Sequence, residues 1–110
     1  MLLAVAKNLM LSELASVGTH VALLNESGVE ISGGTYARQP ITWGTASGGA
    51  INATNQPVFD VPAGVTVGSI AVFSAVTAGT KYSESSVVNE TYAGDGTYTV
   101  TSLEINLNQA

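Results

Sequence analysis

Beyond Gly18, Gly, Asn, Asp or Pro recurs every several residues, and the runs between these breaks are rich in Val, Thr, Ile and Tyr. That rhythm leaves no room for helices alternating with strands, so parallel α/β folds are excluded. It predicts short strands over residues 19–25, 36–43, 50–55, 58–61, 66–75, 81–84, 87–92 and 97–107, the last one broken. About eight short strands joined by turns predict a mainly β fold, an antiparallel β-sandwich or jelly roll. No internal repeat and no linker divides the chain, so a single domain is expected over residues 1–110, with strands spanning 19–107.

The turns carry their own chemistry. Pro62-Ala63-Gly64 places Pro early and Gly where positive φ is needed. Asp95-Gly96 is a hairpin dipeptide. Asn25-Glu26-Ser27-Gly28 and Thr77-Ala78-Gly79-Thr80 are further connections. Alternation then assigns a core. Val21 and Leu23 share a face, and Phe59 and Val61 point opposite to Val58 and Asp60. Val65, Val67, Ile70, Val72 and Phe73 form the most apolar stretch, which predicts the central strand. Val100, Leu103, Ile105 and Leu107 close the sheet. Their spacing slips, which predicts a turn or bulge near Thr101 and Ser102.

Residues 1–17 read differently. Lys7 and Glu13 interrupt the apolar run and no basic segment precedes it, so the pattern is not that of a secretory signal. It is too short and too charged to span a bilayer. Leu3, Ala6, Met10 and Leu14 follow helical spacing, and Leu2, Val5, Leu9 and Leu11 widen the apolar face. Gly18 is a natural stop. A short helix is expected, apolar around most of its circumference. It either plugs the apolar end of the β core, burying Leu3, Met10 and Leu14, or packs partly on another subunit.

Only 10% of residues are charged, against about 25% in a typical domain. Apolar residues make up 45% and mean hydropathy is +0.31. A surface so poor in charge is expected to be covered in part by other protein. An ordinary Thr/Ser/Asn-rich β domain with uncharged polar groups in water has the same composition. Net charge is −5, so no basic stripe exists to bind nucleic acid or an anionic membrane. With no Cys, disulfides, thiolate metal sites and cysteine nucleophiles are excluded.

Residues 33–43 hold the chain's one Arg and one Trp. As a regular strand they would set Tyr36, Arg38, Pro40 and Thr42 on one face and Ala37, Gln39, Ile41 and Trp43 on the other. The planar fork of Arg38 beside Tyr36 points to a contact surface or a strand-locking network. Arg38 is expected to hold a carboxylate or backbone carbonyls, across the sheet or across a subunit boundary.

Signals for catalysis are weak. His20 is the one histidine, which excludes a two-histidine metal centre. A Ser-His-Asp set using Asp60 or Asp95 is formally available, but no Ser lies in a Gly-x-Ser-x-Gly context. Asp60 and Glu90 form an acid pair on paper. Asp60 is better read as bonding the backbone of the Val61–Gly64 turn. Neither Gly-Gly pair, 33–34 or 48–49, has the Lys of a phosphate loop. The glycosylation sequons at Asn25, Asn52 and Asn89 fit chance in an Asn/Thr-rich chain. Linking Lys7 or Lys81 to an Asn by an isopeptide bond needs a buried triad that the sequence does not reveal. No enzyme activity, cofactor or metal is expected.

Five segments resemble a family of short structural proteins of tailed bacteriophages, often labelled tail fibre or minor tail proteins. They are Ala6-Lys7-Asn8-Leu9-Met10-Leu11, Thr19-His20-Val21-Ala22-Leu23, Ser32-Gly33-Gly34-Thr35-Tyr36-Ala37-Arg38-Gln39-Pro40-Ile41-Thr42-Trp43, Pro57-Val58-Phe59-Asp60-Val61-Pro62-Ala63-Gly64 and Gly96-Thr97-Tyr98-Thr99-Val100. They run in order through nearly the whole chain. Tyr-Ala-Arg-Gln and Phe-Asp-Val-Pro-Ala-Gly are the most specific. Members often carry an aromatic- and Gly-rich strand where this chain has residues 71–81. Phe73 and Tyr82 are the aromatics left there, so a ligand role for that strand does not carry over.

The resemblance implies a virion structural protein. A small, charge-poor β domain suits many repeated contacts with a shell, so the expectation is a capsid decoration protein bound to the major capsid protein. It would be made in the host cytoplasm and would self-associate about a symmetry axis, a trimer being the form expected. The alternative is a minor tail or tail-fibre-associated protein, including a form that binds carbohydrate or host surface through exposed Trp43, Tyr36, Tyr82, Tyr92 or Tyr98. The residues expected to make contacts are Tyr36, Arg38, Trp43, Leu3 and Met10.

Overall fold

A computed structural model describes residues 2–108. Residues 1, 109 and 110, which the expected domain also spans, lie outside the described part. The chain is a mainly β, antiparallel β-sandwich with one N-terminal helix. Helix α1 covers Ala4–Val17. The strands are β1 His20–Leu24, β2 Gln39–Pro40, β3 Ala50–Asn52, β4 Val58–Val61, β5 Thr66–Phe73, β6 Lys81–Thr91, β7 Gly96–Thr99 and β8 Glu104–Asn106.

One sheet has the order β2-β1-β5-β6, and two-stranded ladders join β3 to β8 and β4 to β7. Strand β5 lies inside the large sheet, between β1 and β6, as its near-continuous apolar run predicts. Val21, Leu23, Val67, Ile70 and Val72 from this sheet meet Phe59 and Val61 of β4, with Val100 and Leu103, in one buried cluster. Val58 and Asp60 point outward, as alternation requires. The break between β7 and β8 falls between Thr99 and Glu104, where the apolar spacing slips.

Three expectations need correcting. Residues 36–43 do not form one strand. Gly33 and Gly34 both have positive φ, 105° and 57°, which turns the chain, and the ladder to β1 covers only Gln39 and Pro40. Pro40 lacks a donor and sits in this two-residue edge pairing, where that lack is tolerated. Residues 81–92 are not two strands but one, β6, with register shifts opposite Val67/Ser69 and Val72/Phe73. Bulges absorb the irregularity that reads as a turn in the sequence.

The third correction concerns α1. Leu11 is its buried residue, whereas Leu3 is 64% and Met10 51% exposed; Leu14 is half-buried. The helix therefore does not bury the face that Leu3 and Met10 define. Its stop at Gly18 is steric and not conformational. Gly18 has φ −86°, which any residue adopts, but a Cβ there would meet Val72 Cγ1 at 2.8 Å.

Candidate interaction surface

The two regions singled out by sequence have opposite characters. Around Arg38 everything turns inward. Its Nε donates to Glu30 Oε2 at 2.9 Å and its Nη2 to Glu30 Oε1 at 2.8 Å. Nη1 donates to the carbonyls of Ala75, at 3.0 Å, and Ala78, at 2.7 Å. The guanidinium carbon lies 3.7 Å above the Phe73 ring, a cation–π arrangement. Arg38 is 9% exposed, so its fork ties the Glu30 loop to the β5–β6 connection. Both the carboxylate and the carbonyls that sequence reasoning anticipated are present, within one chain.

Tyr36 completes this network. Its hydroxyl accepts from the Leu23 N–H at 3.0 Å and donates to Glu30 Oε2 at 2.9 Å. Its ring stacks on Phe59, with centroids 6.0 Å apart. Hydrogen bonding to Arg38 holds the Glu30 carboxyl below the usual carboxylate range, against the upward push of burial. Burial, then the Glu30 contact, drives the Tyr36 hydroxyl strongly upward. Trp43 is half-buried and donates its Nε1–H to the Gly18 carbonyl at 2.8 Å, anchoring the end of α1.

Other residues with chemical potential are similarly engaged. His20 Nδ1 pairs with the Thr19 hydroxyl at 2.9 Å. Asp60 Oδ2 accepts from the Thr35 hydroxyl at 3.0 Å. The turn at Ala63 is held by Asp95, whose Oδ1 accepts the Ala63 N–H at 2.9 Å; the sequence reading had given that role to Asp60. Among the aromatics considered for carbohydrate stacking, Tyr82 is exposed, while Tyr36, Trp43 and Tyr98 are half-buried and Tyr92 is buried.

The first half of helix α1 turns its apolar side chains outward, while its second half is ordinary, with Leu11 buried and Ser12, Glu13 and Ser16 exposed. In the first half, the polar Lys7 and Asn8 bond the protein's own body: Lys7 Nζ donates to Asn108 Oδ1 at 2.7 Å, and Asn8 Oδ1 accepts from the Gly49 N–H at 2.9 Å. Leu2 and Leu3, just before the helix, and its Val5, Leu9 and Met10 face away, Leu9 being 70% exposed. An ordinary surface helix covers such apolar side chains throughout its length. Thus Leu3 and Met10 lie on an open apolar face, while Tyr36, Arg38 and Trp43 lie inside. Sequence reasoning placed Leu2, Val5 and Leu9 on the apolar face of the helix but did not count them, with Leu3 and Met10, among the contact residues. Their helical phase opposite Leu11 is the signal that groups them. No protein-family model, characterised protein or solved structure matches the chain.

Proposed function

We propose that this chain is a bacteriophage virion structural protein, a decoration protein that docks on the capsid shell by its α1 face. The observation that supports this reading most is the N-terminal end of α1, where Lys7 and Asn8 bond inward while Leu2, Leu3, Val5, Leu9 and Met10 face out. Fully burying a Leu or Val side chain is worth about 1.5–3 kcal/mol. These five are about half to two-thirds exposed, so covering them returns roughly 5 kcal/mol before the costs of association. An exposed ion pair contributes about 0–1 kcal/mol. Apolar contact therefore dominates docking for a chain this poor in charge.

The phage assignment rests on the resemblance carried by Tyr36-Ala37-Arg38-Gln39 and Phe59-Asp60-Val61-Pro62-Ala63-Gly64. The expected partner is the major capsid protein. The labels borne by that family favour the tail instead, and copy number separates the two. Quantitative mass spectrometry of purified virions of the phage that encodes the chain should find on the order of hundreds of copies, as shell decoration requires of a symmetric lattice. A handful of copies would move the protein to the tail, and none would remove it from the virion.

A further inference from the structure

Strand β6 is an edge strand of eleven residues, about twice the usual strand length. Its side away from β5 has no strand partner among the described residues. Such an edge offers a row of free N–H and C=O groups, and proteins blunt it with Pro, charge, bulges or a covering loop. β6 contains no Pro and its residues are mostly exposed. Val88, at 90%, is the most exposed large apolar residue described. The strand carries three charges: Lys81 and Glu84, which pair with each other at 2.6 Å, and Glu90. It also has two bulges, which flank a regular run at Ser83–Ser86.

We infer that β6 pairs with β6 of a second copy, antiparallel about a two-fold axis at Ser85, joining two four-stranded sheets into one. In a two-fold pair one residue faces itself and the others face their mirror positions. With the axis at Ser85, Tyr82 faces Val88 of the second copy, and Ser83 faces Val87. The strand's two exposed large apolar residues, Tyr82 and Val88, thus cover each other twice. Ser83 and Val87, both half-buried, match on the inner face. Glu84 faces Ser86, so no two charges are opposed.

Neighbouring registers are poorer. An axis at Ser86 sets Tyr82 against Glu90 and Val88 against Glu84. An axis at Val87 sets Glu84 directly against Glu90, which is destabilising. The register shifts in the β5 ladder leave Ser83–Ser86 as its regular run, and the axis falls within it. This contact is separate from the α1 face and makes a two-fold pair the unit, in place of the trimer expected from composition. A short ladder buries less than the ~1,600 Å² of a standard interface. Pairing is therefore concentration-dependent, and is favoured where copies are held side by side.

Ser85 is exposed but shares the face of Ser83 and Val87 opposite Ile70. A charge there meets its own copy across the axis, and pairing is read on charged variants that melt as wild type does. Asn89→Glu, set against Lys81 of the second copy, serves as the variant that keeps pairing. Sedimentation equilibrium of the full chain, over a dilution series reaching millimolar, should show twice the 11.2 kDa chain mass at the upper end. Ser85→Glu and Ser85→Lys should each remain single chains, and an equal mixture of the two should recover the double mass. A wild-type chain that stays single, or a mass of three chains, overturns the inference. So does a charged variant that still pairs alone, or a mixture that does not recover.

Discussion

Lys7 Nζ lies 2.7 Å from Asn108 Oδ1, so the one cation of α1 is bonded to the far end of the chain and not displayed to a partner. With Asn8 bonded to Gly49, the first two turns of α1 keep their polar side chains on the protein's body, whereas Ser12, Glu13 and Ser16 further along are exposed. The docking proposed for the outer face and the folding of the chain therefore use different residues, and substitutions can separate them.

Leu11→Ala should cost about 2–4 kcal/mol, because it opens a cavity under a fully buried side chain. Leu9→Glu should change stability by no more than about 0.5 kcal/mol, as an exposed substitution away from special features. Urea unfolding of both variants checks the pair. Equal losses would mean that the outer face of α1 also carries the fold.

Arg38→Lys keeps the charge and removes the fork that holds Glu30, Ala75 and Ala78 together. A loss of about 1–3 kcal/mol is expected, since acceptors in a half-buried network go unpaired. Thermal unfolding reads it directly. Docking should be unaffected, because the network is internal to one chain. An unchanged melting temperature would make Arg38 dispensable to the fold.

These positions also show what the sequence could and could not reveal. Strands β4 and β7 are legible because alternation and turn residues agree there, as with Phe59 and Val61 against Val58 and Asp60. Strands β1 and β5, buried on both faces, are legible as apolar runs between turns. Residues 36–43 alternate equally well, yet Arg38 is placed by its hydrogen bonds to two loops, which no local period encodes. Ser85 and Ser86 resemble a turn but lie in an exposed edge strand, where polar residues carry no penalty. In α1, apolar residues surround the helix, so periodicity could not say which face is covered. The inward bonds of Lys7 and Asn8 decide that, and they depend on Gly49 and Asn108, distant in sequence.

Stability should fall at both ends of the pH scale, for separate reasons. Arg38 holds Glu30 below the ordinary carboxylate range, so its contribution is present above the unfolded value of about 4.3 and is lost as pH drops below it. Burial, then Glu90, pushes Tyr92 up to about 12. Its contribution is full below the unfolded tyrosine value of about 10 and is lost as pH rises from there towards about 12. Chemical unfolding across pH checks both arms, and Glu30→Gln should flatten the acidic one. An acidic arm that is unchanged in Glu30→Gln would assign it to other carboxylates.

Raising salt to about 0.5 M should release little of the protein from virions, because the Debye length is then only about 4 Å while apolar contact is not screened. Pelleting virions in low and high salt, then blotting the supernatant, measures this. Ready release by salt would mean electrostatic docking on a basic partner surface.

The outer face of α1 is the centre of this account, and incorporation of Leu9→Glu into virions tests it most directly. Phage carrying that substitution should yield particles with at least tenfold less of the protein than wild type by quantitative mass spectrometry, while the purified variant melts at the wild-type temperature. Wild-type incorporation of the folded variant would show that the exposed apolar face of α1 is not how this protein is held.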